Sequence, residues 1–292
     1  MGAAFELTRQ IDHLLDVERV EEARRALSQP LSESPDSAEL LFLAARVETV
    51  AGSYEEAERL LHDVLAHAPE HDGARYLRSE LFRASKRYPE AEAELLGLLR
   101  DAPASATLHA MYAQVMFETL HVEKAQALVD EALRLDPEEQ LAKLLAVPLA
   151  ISTGRMEVAE SQVSELMRDA PDAEAVSLTL ITYLNSRGRN REAAEVARGL
   201  LRARPNEPEI LNLLIELHAE AHWSSKPLAP LQRFGFGASI GLWIGTVLVL
   251  QGLRALDQPE LAGLFGLTVF VYVIYSWVQP PLIRRWLRRR GF

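Results

Sequence analysis

The sequence predicts an all-α protein in which a superhelical stack of helix pairs is followed by a hairpin of two transmembrane helices. Two uncharged apolar segments indicate the transmembrane helices, at residues 234–253 and 261–283. A regular periodicity in residues 1–222 indicates the stack. Prolines recur there at one constant interval of thirty-four residues, at Pro35, Pro69, Pro103, Pro137, Pro171 and Pro205. We therefore divide the chain into a repeat body (1–222), a linker (223–233), the two spans and a basic tail (284–292).

The second helix of each predicted unit is marked by a small residue and a larger apolar residue. Alanine stands twelve residues before each proline, at Ala23, Ala57, Ala91, Ala125, Ala159 and Ala193. Four residues later come Leu27, Leu61, Leu95, Val129, Val163 and, in the last unit, Ala197. Residues four apart share a helix face, and a small side chain lets two helix backbones approach closely. The proline that follows ends the helix, because it disfavours helical backbone at the preceding residue.

The turn inside each unit is indicated by glycines in the same frame. Gly52, Gly154 and Gly188 occupy equivalent places, with Lys86 and Leu120 instead of glycine in two units. Glycine there permits a left-handed turn after the first helix. Six units result, at residues 4–37, 38–71, 72–105, 106–139, 140–173 and 174–207. Residues 209–222 then predict a terminal solvating helix that covers the last unit.

A unit of this length, with a small residue at position 20 and proline at position 32, resembles the tetratricopeptide repeat. The second unit shows the pattern well, from Ala38-Glu39-Leu40-Leu41 through Gly52 and Ala57 to Pro69. The first helices match less well, because the family's usual Trp at position 4 is replaced by Leu41, Arg75, His109, Lys143 or Ser177. The resemblance covers residues 4–207 and implies a protein-binding solenoid.

The resemblance also implies a concave groove lined by the first helix of each unit, mainly at positions 2, 5, 6, 9, 12 and 13. Apolar residues at these places suit an apolar peptide or helix as partner. The candidates are Phe42, Leu43, Tyr76, Leu77, Met111, Phe117, Leu144, Leu145, Ile151 and Leu178. The alternative is that some of these side chains pack between helices as core. The family's carboxylate clamp of Lys and Asn has no match at these positions.

Both apolar segments are long enough to cross about 30 Å of hydrocarbon as helices. The alternative is a pair of buried helices in a soluble domain. Five arginines directly after the second segment, against Arg254 alone in the connecting loop, predict that both termini are cytoplasmic. These arginines are Arg284, Arg285, Arg288, Arg289 and Arg290. Few lysines and many alanines indicate a bacterial genome, so we expect an inner-membrane protein.

Small residues recur along both predicted spans. Gly237, Gly241 and Gly245 are spaced by four in the first, and Ala262 and Gly266 in the second. This spacing resembles the pattern that lets membrane helices touch closely. These faces either close the hairpin within one chain or mediate homo-oligomerisation or docking on a partner's membrane helix.

Charge and composition exclude several classes of function. Residues 1–222 hold 40 acidic and 23 basic side chains, a net charge of −17 that would repel nucleic acid phosphates. The absence of cysteine excludes disulfides, thiolate metal sites and thiol nucleophiles. His218 and His222 are four apart, but no third metal ligand is apparent and the order HAEAH is not that of a zinc protease. No catalytic motif is present, so we expect no enzyme, no cofactor and no metal.

The sequence therefore predicts a membrane-anchored adaptor that binds a protein partner in its groove and recruits it to the cytoplasmic face of the membrane. Confinement to a surface would raise the effective concentration of that partner near membrane targets. The alternative is a structural or assembly subunit of a membrane complex, contacted through the transmembrane hairpin. Membrane lipid is a partner in either case.

Overall fold

The computed structural model describes residues 2–17, 19–170, 173–204, 207–222, 224, 241, 243–253, 255, 256 and 258–289. This part of the chain consists of helices and turns, without a strand. The helices are α1 (Gly2–Asp16), α2 (Val20–Glu33), α3 (Ala38–Val50), α4 (Tyr54–His67), α5 (Asp72–Ala84), α6 (Tyr88–Asp101), α7 (Ala106–Glu118), α8 (Val122–Leu135), α9 (Gln140–Ser152), α10 (Met156–Asp169), α11 (Glu174–Ser186), α12 (Asn190–Ala203), α13 (Pro208–Ala221), α14 (Trp243–Leu253) and α15 (Pro259–Arg289).

The helix boundaries confirm the period that the prolines predict. From the second repeat onward, the first helix of each repeat begins at positions 38, 72, 106, 140 and 174. The second helices begin at positions 20, 54, 88, 122, 156 and 190. Each second helix ends two residues before its proline, as α4 does at His67 before Pro69. The proline restricts the residue before it to extended backbone, so the helix ends one residue earlier.

The recurring alanines are completely buried where helices pack together. All six have no solvent exposure, and the apolar residues four positions later are also buried. In the first helix pair, Ala23 and Leu27 belong to a core cluster that also contains Ile11 of α1 and Leu43 of α3. A larger side chain at the alanine positions would force the helices apart, because protein cores tolerate little added volume.

The turns between the two helices of a repeat adopt the expected left-handed backbone. Gly52, Gly154 and Gly188 have φ of 74°, 74° and 72°. Lys86 and Leu120 adopt φ of 60° and 64° at the equivalent places. The turn geometry is therefore kept even where glycine is absent, at the steric cost that a Cβ atom brings to left-handed backbone.

Above the level of the repeats, the chain forms two compact units. We call Met1–Arg155, with α1 to α9, the first unit and Met156–Phe292, with α10 to α15, the second unit. In the first unit, one core cluster extends from Ile11 to Leu81 and the next from Phe82 to Leu149. The boundary that the sequence predicts after residue 222 lies inside the second unit. The last helices of the repeat body therefore share a compact unit with α15.

Candidate functional site

The first helices α3, α5, α7 and α9 carry most of the predicted groove residues. At position 5 of these helices, Tyr76 is 38% exposed, and Phe42 and Leu144 are half-buried. At position 6, Leu77 is half-buried. Phe117 of α7 and Ile151 of α9, which lie near the ends of their helices, are half-buried too. These six residues leave apolar surface on the first helices of the first unit, which we call the first-helix face.

Three of the predicted groove residues belong to the core instead. Leu43, Met111 and Leu145 occupy position 6 and are 1%, 1% and 8% exposed. They pack in the core clusters of the first unit, because position 6 faces the contact between neighbouring helices. A buried side chain cannot contact a partner, so the prediction that these three line the groove is wrong.

Phe42 lies on the first-helix face and also connects two consecutive repeats. Its ring centroid lies 4.7 Å from that of His71, the N-cap residue of α5. A Cβ atom at Gly73 would lie 3.1 Å from Cζ of Phe42, which is closer than most real contacts. The glycine therefore makes room for the aromatic ring, and part of the Phe42 surface is used within the fold.

Tyr76 lies near carboxylates of two helices. Burial raises the pKa of its phenol, and the charges of Glu80 and Glu139 raise it further. Glu80 follows on the same helix one turn later, and Glu139 is the N-cap residue of α9. Oε2 of Glu139 accepts a hydrogen bond from Oγ1 of Thr107 at 2.6 Å. The exposed tyrosine is thus the apolar centre of an acidic part of the first-helix face.

Ion pairs connect neighbouring first helices on this face. Nη1 of Arg46 on α3 lies 2.7 Å from Oδ1 of Asp12 on α1. Arg83 on α5 pairs with Glu80 at 2.9 Å and with Glu118 of α7 at 2.8 Å. These two arginines are therefore committed to the fold. Glu139, in contrast, accepts its hydrogen bonds from neutral groups, the hydroxyl of Thr107 and the backbone N–H of Leu141.

Leu178 belongs to α11 in the second unit and is 38% exposed. It occupies position 5 of its repeat, as Tyr76 does in the first unit. Its place on a common binding surface with the residues of the first unit stays a prediction.

One helix in the described part of the chain is long and apolar enough to cross a membrane, from Glu260 to Trp286 within α15. It contains the predicted second span, residues 261–283, and continues as helix through the arginines to Arg289. The described part of the first span is the shorter apolar helix α14. The predicted hairpin of two spans therefore stays a prediction.

The small-residue positions of the spans differ in their surroundings. Gly237 lies outside the described residues. At Gly241 and at Gly245, a Cβ atom would have no neighbouring atom within 4 Å. Ala262 is buried, and a Cβ at Gly266 would lie 3.9 Å from Cδ2 of Leu250 on α14. The part that these small residues play in packing between membrane helices stays a prediction.

The sequence predicted that α13 is a solvating cap on the last repeat, but the helix also makes a second contact. It packs on α12, as expected, but it also carries Ile215 and Ala219, which are buried against Ile283 of α15. Arg284 of α15 lies 3.6 Å from Glu216. The sequence held a signal for this second contact, since Leu211, Ile215 and Ala219 form an apolar stripe spaced by four.

The remaining predicted arginines are placed only in part. Arg285 is exposed on α15, and the helical backbone includes Arg288 and Arg289. Arg290 lies outside the described residues. The described arginines therefore follow the apolar part of α15 directly, in one continuous helix.

The two histidines at the end of the repeat body contact protein groups. Nδ1 of His218 lies 2.8 Å from the carbonyl oxygen of Leu214, and Nδ1 of His222 lies 2.8 Å from Oγ of Ser224. Among the described residues, no group of three or more His, Cys, Asp or Glu side chains is arranged to hold a metal ion.

Comparison with known proteins shows what the first repeats are similar to. Two family models, both described as tetratricopeptide repeat, match residues 8–61 and 49–115. No curated protein sequence matches the chain. The solved structure of PilF from Pseudomonas aeruginosa is 18% identical, with a TM-score of 0.55, and the match covers 75% of this chain and 98% of PilF.

Two further structures show the same fold. PilW, a type IV pilus biogenesis factor, is 14% identical with a TM-score of 0.56, covering 73% of this chain and 99% of PilW. A tetratricopeptide repeat protein from Parabacteroides merdae is 14% identical with a TM-score of 0.56, covering 91% and 99%. The chain is therefore an all-α helical-repeat protein. Residues 8–115 match tetratricopeptide repeat models, and the fold is the solenoid fold of these structures.

Proposed function

We propose that this chain is a membrane-anchored tetratricopeptide scaffold. It binds a protein partner on the first-helix face of the first unit and holds it at the cytoplasmic face of a bacterial inner membrane. The observation that carries the proposal is the exposure of Tyr76 on a set of first helices that also carries half-buried Phe42, Leu77 and Leu144. Aromatic side chains that are partly exposed on a rigid helical surface are typical anchors of protein interfaces.

The chemistry around Tyr76 indicates what the partner presents. An apolar side chain of a peptide or helix would contact the Tyr76 ring, and a basic side chain would face Glu139, since Glu80 already pairs with Arg83. PilW, which shares the fold, is a biogenesis factor of type IV pili. Assembly of a membrane-associated protein complex is the setting that we propose for the scaffold.

The membrane part of the proposal is supported by α15. Its residues Leu264, Leu267, Phe270 and Trp277 are exposed, although they are large and apolar. Such a surface is unfavourable in water and favourable in hydrocarbon. The arginines that follow favour the cytoplasmic side for the carboxy-terminal end of α15.

Affinity capture with three matched variants tests the proposal. Tyr76→Glu should reduce capture of the partner at least tenfold, because the new carboxylate is fully desolvated only in the complex. Its repulsion by Glu80 and Glu139 should lower the unfolding temperature only slightly. Leu96→Glu, equally exposed at 38% on α6, should capture normally. Met111→Glu should instead lower the unfolding temperature sharply, because it places a charge in the core. Normal capture by Tyr76→Glu would contradict the proposal.

A second candidate, a structural subunit of a membrane complex, is favoured by the contact between α13 and α15. That contact ties the last repeat helices to the apolar helix, as a bracing subunit would require. Purification from membranes in mild detergent separates the two functions. Stable association in fixed stoichiometry that survives Tyr76→Glu favours the subunit, and reversible association that Tyr76→Glu removes favours the scaffold.

A further inference from the structure

A groove with a volume of about 780 Å³ runs along one face of α15. Its apolar wall consists of Val271, Ile274, Val278 and Leu282, which are spaced by three or four residues and therefore share a helix face. All four are between 47% and 59% exposed. The volume is within the range of about 300–1,000 Å³ that is usual for ligand sites.

The length of this wall corresponds to one leaflet of a bilayer. Val271 and Leu282 are eleven residues apart, which is roughly 16 Å along a helix that rises about 1.5 Å per residue. The hydrocarbon core of a membrane is about 30 Å thick, so one leaflet contributes about half of that. The wall lies at the arginine end of α15, which is the predicted cytoplasmic end.

The end of the groove after Leu282 has a different character. Arg285 and Trp286 line it there, together with His222 from the segment after α13. The Trp286 and His222 rings meet edge to face at 6.0 Å. Within the described part of the chain, Arg285 has no carboxylate partner, whereas the adjacent Arg284 lies 3.6 Å from Glu216. A cationic group therefore stands at one end of an apolar channel.

The other polar groups of the groove bond to one another. Nε2 of Gln279 donates to Oγ of Ser224 at 2.9 Å, and the hydroxyl of Tyr275 donates to the carbonyl oxygen of Ser224. Polar groups at membrane depth need such internal partners. These bonds hold α15 against the segment after α13 and leave the Val271 to Leu282 wall apolar.

We propose that this groove binds one anionic glycerophospholipid of the cytoplasmic leaflet. One acyl chain lies along the wall from Val271 to Leu282, and the headgroup phosphate pairs with Arg285. Guanidinium groups are well suited to phosphate, and juxtamembrane arginines attract anionic lipids. The inference rests on the membrane part of the proposed function and is independent of the first-helix face.

The test is lipid retention by the full chain, purified in a neutral detergent and incubated with equal amounts of phosphatidylglycerol and phosphatidylcholine. Native mass spectrometry counts the bound lipids. We expect one phosphatidylglycerol to be retained in preference to phosphatidylcholine. Arg285→Gln should lower that retention about fivefold. Arg284→Gln, which removes a neighbouring arginine outside the groove, should have no effect beyond twofold.

Two further arms identify the occupant. Val278→Trp fills the groove and should lower retention of both lipids, with Val271→Trp as a second variant if the first loses helicity. Excess glycerol phosphate should not displace the lipid, because the wall binds the acyl chain. Equal retention of the two lipids, equal effects of Arg284→Gln and Arg285→Gln, displacement by glycerol phosphate, or normal retention by the tryptophan variants would each overturn the inference.

Membrane fractionation of cells separates this inference from the proposed function. A chain found outside the membrane would contradict the membrane part of the proposed function itself. A chain embedded in the membrane but without preference for phosphatidylglycerol would contradict only the lipid site.

Discussion

Nε2 of Gln279 on α15 donates a hydrogen bond to Oγ of Ser224, at 2.9 Å. Both side chains are buried, and the two residues are far apart in the sequence. The bond connects the apolar helix to the segment that directly follows α13. Together with the burial of Ile215 against Ile283, it makes α15 part of the packing of the second unit.

Removal of α15 should therefore expose an apolar surface. We expect the fragment of residues 1–222 to remain helical but to self-associate, because Leu211, Ile215 and Ala219 lose their cover. Ile215→Lys should return the fragment to the monomer in sedimentation equilibrium. Glu216→Lys places the same side chain at an exposed neighbouring position and should leave the association unchanged or nearly so. A wild-type fragment that stays monomeric at high concentration would contradict this account of α13.

Leu120 should be replaceable by glycine with a gain in stability. Its φ is 64° and it is 83% exposed, so glycine relieves strain and removes no packing. The strain of about 1–2 kcal/mol exceeds the entropic cost of glycine, and we expect a net gain of about 0.5–1 kcal/mol. The midpoint of thermal unfolding should rise by roughly 1–3 °C.

The reverse change supplies the control for Leu120. Gly154 has a φ of 74°, and a Cβ atom there would meet nothing within 4 Å. Gly154→Ala should therefore lower the stability by about 1 kcal/mol through backbone strain alone. A loss of stability in Leu120→Gly would show that this leucine makes a contact that the isolated chain does not reveal.

The repeat architecture could be predicted because it depends on local rules that act in every unit. A proline ends each second helix, an alanine permits close packing and a turn residue takes left-handed backbone, so each signal recurs in the same frame. The division between exposed and buried groove residues could not be predicted, because positions 5 and 6 are both apolar in the middle units. Only the direction of the side chain toward a neighbouring helix separates Tyr76 from Met111.

The contact between α13 and α15 was also missed, although its apolar stripe is visible in the sequence. The stripe alone does not identify what covers it, since the linker, the whole first predicted span and nearly all of the second separate Ile215 from Ile283. The interpretation of α13 as a solvating cap assumed that the helix after the last repeat faces water. Long-range packing of this kind depends on tertiary structure that a local pattern does not contain.

Glu48 should contribute stability that is lost in acid. Arg24 of α2 donates to both of its carboxylate oxygens, at 2.8 Å and 2.6 Å, and these bonds lower the pKa of Glu48 from its ordinary value of 4.5. The folded protein therefore releases this proton more readily than the unfolded chain. The contribution is present above about pH 4.5 and is lost as the pH falls through the folded pKa.

Urea unfolding at pH values from about 7 to 3 measures this contribution. Glu48→Gln should be less stable than wild type at neutral pH, and the difference should shrink as the pH falls. Glu70→Gln removes an exposed carboxylate that has no ion pair within the described part of the chain. It should change neither the stability at neutral pH nor the dependence of stability on pH. A constant difference for Glu48→Gln across the range would contradict the assignment.

The orientation of the spans predicts where a reporter is active. With two spans and the arginine excess after the second, both ends of the chain are expected to be cytoplasmic. A reporter that works only outside the cytoplasm should be silent when fused after Phe292 and active when inserted at Asp257. Activity after Phe292 would reverse the orientation, and silence at both places would indicate that the segments do not form a hairpin.

The central claim, that the first-helix face binds a protein partner, is tested most directly by crosslinking in living cells. A photoreactive phenylalanine derivative is incorporated at position 76 or, as the control of equal exposure, at position 96. Irradiation should give one discrete adduct in the membrane fraction for position 76 and none for position 96. The absence of an adduct at position 76, or the same adducts at both positions, would contradict the claim.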